Sequence, residues 1–200
     1  MTRNTENRQN NMLNETIRTI MKRYSCRAFT EKMPSDGDLQ IIAKAALAAP
    51  SGVNRQPWRV IVVKNKSLIN EMDDEGMKIL AAMPDRSLYE RIRARGGRLF
   101  YGAPCMTVIP VTQSVPAGAE MFDCSIVAEN IALAATSMGI DSLICGLAAL
   151  PFAGEKGAEF GRRLGFPEGY NIGLGVLLGY AAEPGGKPHE LDLSKFSFVE

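Results

Sequence analysis

The sequence has little histidine, little net charge and few cysteines. Its 200 residues include one histidine, His189, and 23 Lys+Arg against 22 Asp+Glu give a formal net charge of +1. Nucleic-acid-binding domains usually carry a large basic excess and membrane-surface helices a basic face, so we expect neither partner. We also expect no metal site, because no CxxC pair and no nearby histidine accompany the four cysteines, Cys26, Cys105, Cys124 and Cys145.

Long apolar runs are also missing. No stretch approaches the roughly 18 to 20 apolar residues that cross a bilayer. The first eleven residues, MTRNTENRQNN, lack the apolar core of a secretory signal, and we expect residues 1–11 to form a disordered polar leader. Without an internal repeat or a long linker, residues 12–200 are predicted to form a single domain. These absences favour a cytoplasmic protein with reduced thiols.

Two familiar nucleotide and hydrolase motifs, GxxxxGK[ST] and GxSxG, do not occur in the sequence. The series from Gly173 to Gly179 reads GxGxxxG, but it lies in an apolar run followed by a Pro/Gly-rich tail instead of a helix. We therefore interpret these glycines as strand positions against which another element packs closely.

Apolar periodicity predicts an alternation of helices and strands. The helices are expected at 13–23, at 36–49 with Ser35 as the N-cap, at 67–83, at 119–138 and at 154–165. The strands are expected at 58–63, 105–111, 140–150 and 173–180, the first with both faces covered. Two further segments are predicted to be exposed, the arginine-rich 86–98 and the Pro/Gly-rich 183–188.

The segment Arg23-Tyr24-Ser25-Cys26-Arg27 places two guanidiniums and a hydroxyl at alternate positions. In an extended chain such side chains project from one side. Arginine binds phosphate oxygens in pairs and serine adds a neutral donor, so the pattern favours a phosphate site. The alternative is a solvent-facing helix end with favourably placed cations.

A second polar segment joins a predicted buried helix to a predicted strand. It reads Pro50-Ser51-Gly52-Val53-Asn54-Arg55-Gln56-Pro57 and offers a hydroxyl and two side-chain amides in close order. Amides can satisfy the donor and acceptor edge of a planar heterocycle, and loops held by rigid elements are common binding sites. A plain turn is the alternative.

Together, these segments and the strand 59–63 resemble the nitroreductase family of FMN-dependent oxidoreductases. The resemblance continues in the alanine-rich helix 119–138, in Asp141–Gly146, in the strand ending at Gly179-Tyr180 and in Lys187-Pro188-His189. It implies an α+β fold with a central sheet flanked by helices. It also implies an intertwined homodimer with two FMN sites at the interface, each built from both chains.

The resemblance also implies roles for individual residues. Arg23, Ser25 and Lys187 would bind the phosphate and ribityl chain, and Arg27 would lie nearer the pyrimidine edge of the flavin. Pro50, Ser51, Gly52 and Asn54 of the second subunit would line the isoalloxazine, and a backbone N–H near Ile144, Cys145 or Gly146 would point at N5. Tyr24 and Gln56 complete the expected cofactor-binding set, with His189 at a place where many members have arginine.

The function implied is reduction of nitroaromatic, quinone or related electron-poor acceptors by NADH or NADPH, in ping-pong fashion through flavin N5. The flavin would carry the chemistry, with Arg27 as electrostatic support and no catalytic side chain. Relatives that dehalogenate, fragment flavin or dehydrogenate rings leave a different activity open, for which a lid at 86–98 is the one candidate feature. A non-catalytic FMN-binding protein is the third possibility.

Overall fold

A four-stranded antiparallel sheet forms the centre of the computed structural model, which describes residues 14–113 and 118–200. Its strands are β1 (Ile61–Val63), β2 (Cys105–Thr112), β3 (Asp141–Cys145) and β4 (Tyr170–Gly179). They lie in the order β1-β2-β4-β3, so the two longest strands are central. The leader expected at 1–11 lies outside the described residues.

Six α-helices surround this sheet in the described part of the chain. They are α1 (Glu15–Lys22), α2 (Asp36–Leu47), α3 (Lys66–Ala82), α4 (Ser87–Arg93), α5 (Ala119–Ser137) and α6 (Gly157–Leu164). Three begin at a side-chain cap that accepts a backbone N–H, namely Asn14, Ser35 and Asn65. The predicted Ser35 cap is thus confirmed. Short 3₁₀ turns cover Gly52–Asn54, Gly146–Phe152 and Leu193–Lys195.

The two faces of the sheet bury separate apolar clusters. On β4, Leu177 belongs to one cluster, whereas Val176 and Leu178 belong to the other, as alternation along a strand requires. The first cluster includes α3, and the second includes α2 and α5. The middle of α5 is fully buried, which confirms the predicted buried helix; its residues there are Val127, Ala128, Ile131, Ala132 and Ala135.

Two predicted strands are shorter in the structure. The first begins only at Ile61, at the sheet edge, so the expectation that both its faces are covered is wrong for the half-buried Ile61 and Val62. The strand predicted over 140–150 ends at Cys145 and turns into the 3₁₀ segment that contains Pro151. An apolar run is compatible with either a strand or a turn, so the sequence pattern does not mark Cys145 as the last residue of the strand.

Close packing against the glycines of β4 is confirmed. A Cβ built on Gly173 would lie 2.8 Å from Cys124 Sγ, and one on Gly175 would lie 2.6 Å from the Cβ of Ala148. These approaches explain the GxGxxxG series without a nucleotide. Among the helices of the described residues, none has the length and hydropathy of a membrane span.

Candidate functional site

The segment after α1 runs extended beside the sheet. Ser25 pairs in parallel with Ser142 of β3, and the Cys26 N–H donates to the Ser142 carbonyl at 2.9 Å. Further along, the Ala182 N–H donates to the Ala28 carbonyl at 2.9 Å. The first motif is therefore held between β3 and the chain that leaves β4, in the extended form that the phosphate interpretation requires.

The charged side chains of this segment remain partly or fully exposed. Arg23 Nε lies 3.2 Å from Glu129 Oε1 of α5. The exposed Arg27 donates from Nη1 to the Ser25 carbonyl at 3.2 Å. Within the described ranges, the Ser25 hydroxyl has no hydrogen-bond partner. The structure thus presents two cations and a free hydroxyl within five residues.

Tyr24 makes different contacts from its neighbours. Its hydroxyl donates to Asp141 Oδ1 at 2.8 Å, and the other oxygen of that carboxylate accepts the Ala181 N–H at 2.8 Å. Burial, followed by the hydrogen bond to Asp141, raises the pKa of Tyr24 well above its usual value. The phenol therefore stays protonated and donates to the carboxylate.

The second motif is a strained, exposed loop. Val53, Asn54 and Gln56 have φ values of 47°, 56° and 49°, in the left-handed region that non-glycine residues rarely occupy. The Gln56 N–H donates to Ser51 Oγ at 2.9 Å, and Gln56 Nε2 donates to Asn54 Oδ1 at 2.8 Å. Strain of this kind concentrates at functional sites, which favours the binding interpretation over a plain turn.

Both motifs touch α5, but at different places. The Gly52 N–H donates to Asp123 Oδ1 at 3.2 Å, whereas Arg23 pairs with Glu129. Six residues of an α-helix advance about 9 Å and turn about 240°, so the two anchors face different directions. Within a single chain, the two motifs therefore contact different sides of α5.

The end of β3 opens onto free space. Cys145 is buried, and burial raises the pKa of its thiol to about 11. The next residue, Gly146, is exposed, and a Cβ built on it meets no atom within 4 Å. Ser25 pairs in parallel with Ser142, so the two segments run in the same direction from this pair. Arg27 follows Ser25 along the first segment, and Gly146 follows Ser142 just past the end of β3.

The late motif lies close to the first. Gly185 turns the tail with a φ of 95°, and the backbone of Gly186 lies against the ring of Tyr24 so closely that a Cβ would overlap it. Lys187 and His189 follow as exposed residues without a polar partner among the described residues. The late motif therefore contacts the first at Tyr24, between Arg23 and Ser25 in the sequence, and Lys187 follows directly after this contact.

Sequence reasoning missed the carboxylates that hold these motifs. Asp123, Glu129 and Asp141 each fix one motif through a contact between residues far apart in the sequence. Asp123 and Glu129 lie in the helix predicted at 119–138 and Asp141 in the segment Asp141–Gly146, but no local pattern indicated the partners of these carboxylates. A cavity of about 590 Å³ lies elsewhere, between α6 and the start of β4.

Metal and thiol chemistry find no support in the described residues. No group of three histidine, cysteine or acidic side chains there could hold a metal ion. All four cysteines are buried and unpaired, and burial raises the pKa of Cys105 and of Cys124 to about 12. These thiols are therefore packing groups.

The antiparallel sheet lies between two helical layers, with the exposed cation of Arg27 beside β3 and the strained amide loop at α5, and this arrangement is an α+β fold. Residues 20–180 match the nitroreductase family model. The chain belongs to the nitroreductase family, and the predictions of an α+β fold and of an enzyme of this family are confirmed.

Three similar proteins illustrate the relationship. A nitroreductase with bound FMN from Desulfitobacterium hafniense DCB-2 is 55% identical, with a TM-score of 0.91 over 94% of this chain and 100% of that one. One from Bacteroides fragilis, also with bound FMN, is 29% identical, with a TM-score of 0.84 and coverage of 94% and 100%. A protein of Archaeoglobus fulgidus, provisionally named NADH dehydrogenase/NAD(P)H nitroreductase, is 30% identical over 84% of this chain and 86% of its own.

Proposed function

We propose that this protein is an FMN-dependent oxidoreductase that uses NADH or NADPH to reduce nitroaromatic, quinone or related electron-poor acceptors. The observation that carries the proposal is the polar strip of Arg23, Ser25, Arg27 and Lys187 beside open backbone at Gly146. The 55% identity to a nitroreductase with bound FMN supports the same conclusion.

The residues at one end of the strip fit a phosphate. Arg23 is partly exposed and Lys187 fully so, and the Ser25 hydroxyl is free to donate within the described residues. The Glu129 carboxylate keeps the Arg23 guanidinium oriented, and its 40% exposure leaves that ion pair weakly held. His189 would add a single donor at the same end.

The residues at the other end fit a planar heterocycle. The backbone at Gly146, directly after Ile144 and Cys145 of β3, borders open space, and Arg27 would place a cation near the ring edge. In this proposal a cation there favours negative charge on the bound ring, by the logic of an oxyanion site. FMN, when bound, would supply the electron-transfer chemistry.

The amide loop would reach the same heterocycle from a second subunit. In one chain the loop and the first motif contact different sides of α5, at Asp123 and at Glu129. This separation supports a site that is shared between two copies of the chain. Pro50, Ser51, Gly52 and Asn54 would line the ring, and Gln56 keeps the amide of Asn54 oriented through its 2.8 Å hydrogen bond. The resulting homodimer would contain two sites.

Exposed apolar side chains supply the surface for such a dimer. Large ones are exposed on α1, on α5 and throughout the tail after β4, in a pattern that a monomer rarely maintains. The most exposed are Phe122, Leu193, Phe196, Phe198 and Val199. We propose that these residues are covered in an intertwined homodimer.

Substrates in this proposal bind in turn at the open side of the ring, which produces ping-pong kinetics, and solvent supplies protons. The test is steady-state oxidation of NADH and of NADPH by FMN-loaded protein, with a nitroaromatic and with a quinone as acceptor. Parallel initial-rate lines at varied acceptor would support the proposal. FMN-loaded protein that oxidises neither nucleotide with any acceptor would contradict it.

A further inference from the structure

We propose that Tyr24 and Asp141 form a positioning pair that fixes the tail after β4 so that Lys187 faces the phosphate end of the cofactor site. This inference rests on the proposed function and deepens it. It assigns Tyr24 to holding the chain that carries a ligand, not to contacting the cofactor.

The geometry of Asp141 is that of a bridge between two chain segments. One carboxylate oxygen accepts the Tyr24 hydroxyl and the other accepts the Ala181 N–H, both at 2.8 Å. Asp141 itself opens β3, opposite Gly179 of β4. A single side chain at the sheet edge thus ties the first motif to the exit of β4.

The ring of Tyr24 continues the connection toward Lys187. Gly186 has its backbone against ring atoms Cε2, Cζ and Cδ2, where any side chain would collide. The positive φ of Gly185 supplies the turn that brings the tail to this contact. The tail thus contacts the Tyr24 ring one residue before Lys187, in a stretch, 182–200, whose residues are all exposed.

Alternation along the extended segment separates the two tasks. Successive side chains of an extended chain point to opposite sides, so Arg23 and Ser25 face away from Tyr24. The hydroxyl of Tyr24 is already used by Asp141, and the raised pKa of Tyr24 keeps its proton in that hydrogen bond. Tyr24 therefore holds the tail, while the Ser25 hydroxyl has no hydrogen-bond partner among the described residues and Arg23 is paired only with the partly exposed Glu129.

The test compares FMN with riboflavin, which lacks the phosphate, by fluorescence titration of apoprotein. For Tyr24→Phe we expect the Kd for FMN to rise about 5- to 20-fold, because a hydrogen bond to a charged partner is lost. The Kd for riboflavin should change less than about twofold, since riboflavin lacks the phosphate that Lys187 faces in this proposal. Tyr89→Phe, on α4, is the matched control and should change neither Kd.

A double-mutant cycle with Lys187→Ala tests the route. If Tyr24 acts through Lys187, adding Tyr24→Phe to Lys187→Ala changes the FMN Kd by less than about twofold. Independent, multiplying effects would overturn the inference, as would equal losses of FMN and riboflavin affinity. Hydrogen exchange of the Ala181 amide in the apoprotein should accelerate in Tyr24→Phe, and an unchanged rate would also overturn it.

Failure of the inference and failure of the proposed function give different results. A wild-type chain without FMN affinity would overturn both. A wild-type chain that binds FMN more tightly than riboflavin, with the same preference in Tyr24→Phe, would overturn the positioning pair alone.

Discussion

The strongest stability prediction concerns Asp73, a buried carboxylate on α3. It is 2% exposed, and its two oxygens accept the backbone N–H groups of Leu99 and Phe100 at 3.0 Å each. The next residue, Tyr101, accepts the Phe29 N–H at 3.2 Å, so Asp73 supports the segment that carries the first motif. Its replacement should destabilise the whole fold.

The expected magnitude follows from the donors left behind. Asp73→Ala leaves two buried N–H groups without an acceptor, at about 1–3 kcal/mol each. Removal of a buried charge offsets part of this loss, so we expect the free energy of unfolding to fall by about 3 kcal/mol. For a chain of this size that lowers Tm by roughly 6–12 °C in differential scanning calorimetry.

The adjacent Asp74 provides a matched control. Its carboxylate lies 3.3 Å from Arg98 Nη1, with both side chains largely exposed, and such pairs contribute about 0–1 kcal/mol. Asp74→Ala should therefore lower Tm by at most a few degrees, by roughly 2–4 °C per kcal/mol. Equal Tm losses in the two variants would refute the reasoning.

The pH dependence of the same carboxylate has a defined sign. Burial raises the pKa of Asp73 above its usual value, so the folded chain binds this proton more tightly than the unfolded chain does. The contribution of Asp73 to stability is therefore largest at low pH and falls as pH rises through the raised pKa. The free energy of unfolding of wild type minus that of Asp73→Asn should decrease from acid to neutral pH, and the opposite slope would contradict the assignment.

Three further predictions follow from packing, thiol burial and exposed apolar surface. Gly175→Ala should cost about 1–3 kcal/mol in denaturant unfolding, because its Cβ would lie 2.6 Å from that of Ala148, whereas Gly37→Ala in α2 should be neutral or stabilising. The four cysteines should resist iodoacetamide at pH 8 and react once the chain is unfolded, as mass spectrometry would record; rapid labelling of folded protein would contradict the thiol burial. Light scattering should give twice the 21.8 kDa chain mass, and Phe122→Asp should shift the protein toward monomer, while a monomeric wild type would contradict the dimer.

The sequence predicted the elements that depend on local patterns. The helix expected at 119–138 is α5 at Ala119–Ser137, because its apolar and alanine-rich run ends at Gly139, whose φ is 72°. The strand expected at 105–111 is β2, one residue longer. An apolar run alone does not distinguish a strand from a 3₁₀ turn. For this reason the strand predicted over 140–150 is wrong after Cys145, where the structure has a 3₁₀ segment.

The candidate site was predictable in its residues but not in its supports. Two segments stand out in the sequence because their polar residues have no place in a packed core, and the structure puts both at the surface. Val53, Asn54 and Gln56 have positive φ values although none of them is glycine, so the sequence did not indicate this loop conformation. The Tyr24 hydroxyl donates to Asp141, which is 117 residues away in the sequence, and only the folded sheet brings the two together.

The arginine-rich segment was the one candidate for a lid that would favour another activity. In the structure it contains α4, and its inward residue Ile92 is only 2% exposed. Leu99 directly after the segment is fully buried. The segment is thus packed against the first apolar cluster, which favours the exposed-face interpretation over a mobile cover.

The most direct test of the central claim is anaerobic mixing of FMN-loaded protein first with NADH or NADPH and then with a quinone or nitroaromatic. We expect the nucleotide to bleach the flavin absorbance without an acceptor present, and the acceptor to restore it in a separate step. If the protein binds FMN tightly but its flavin stays oxidised with both nucleotides, the proposed reductase activity is contradicted. The protein would then be a non-catalytic FMN-binding protein.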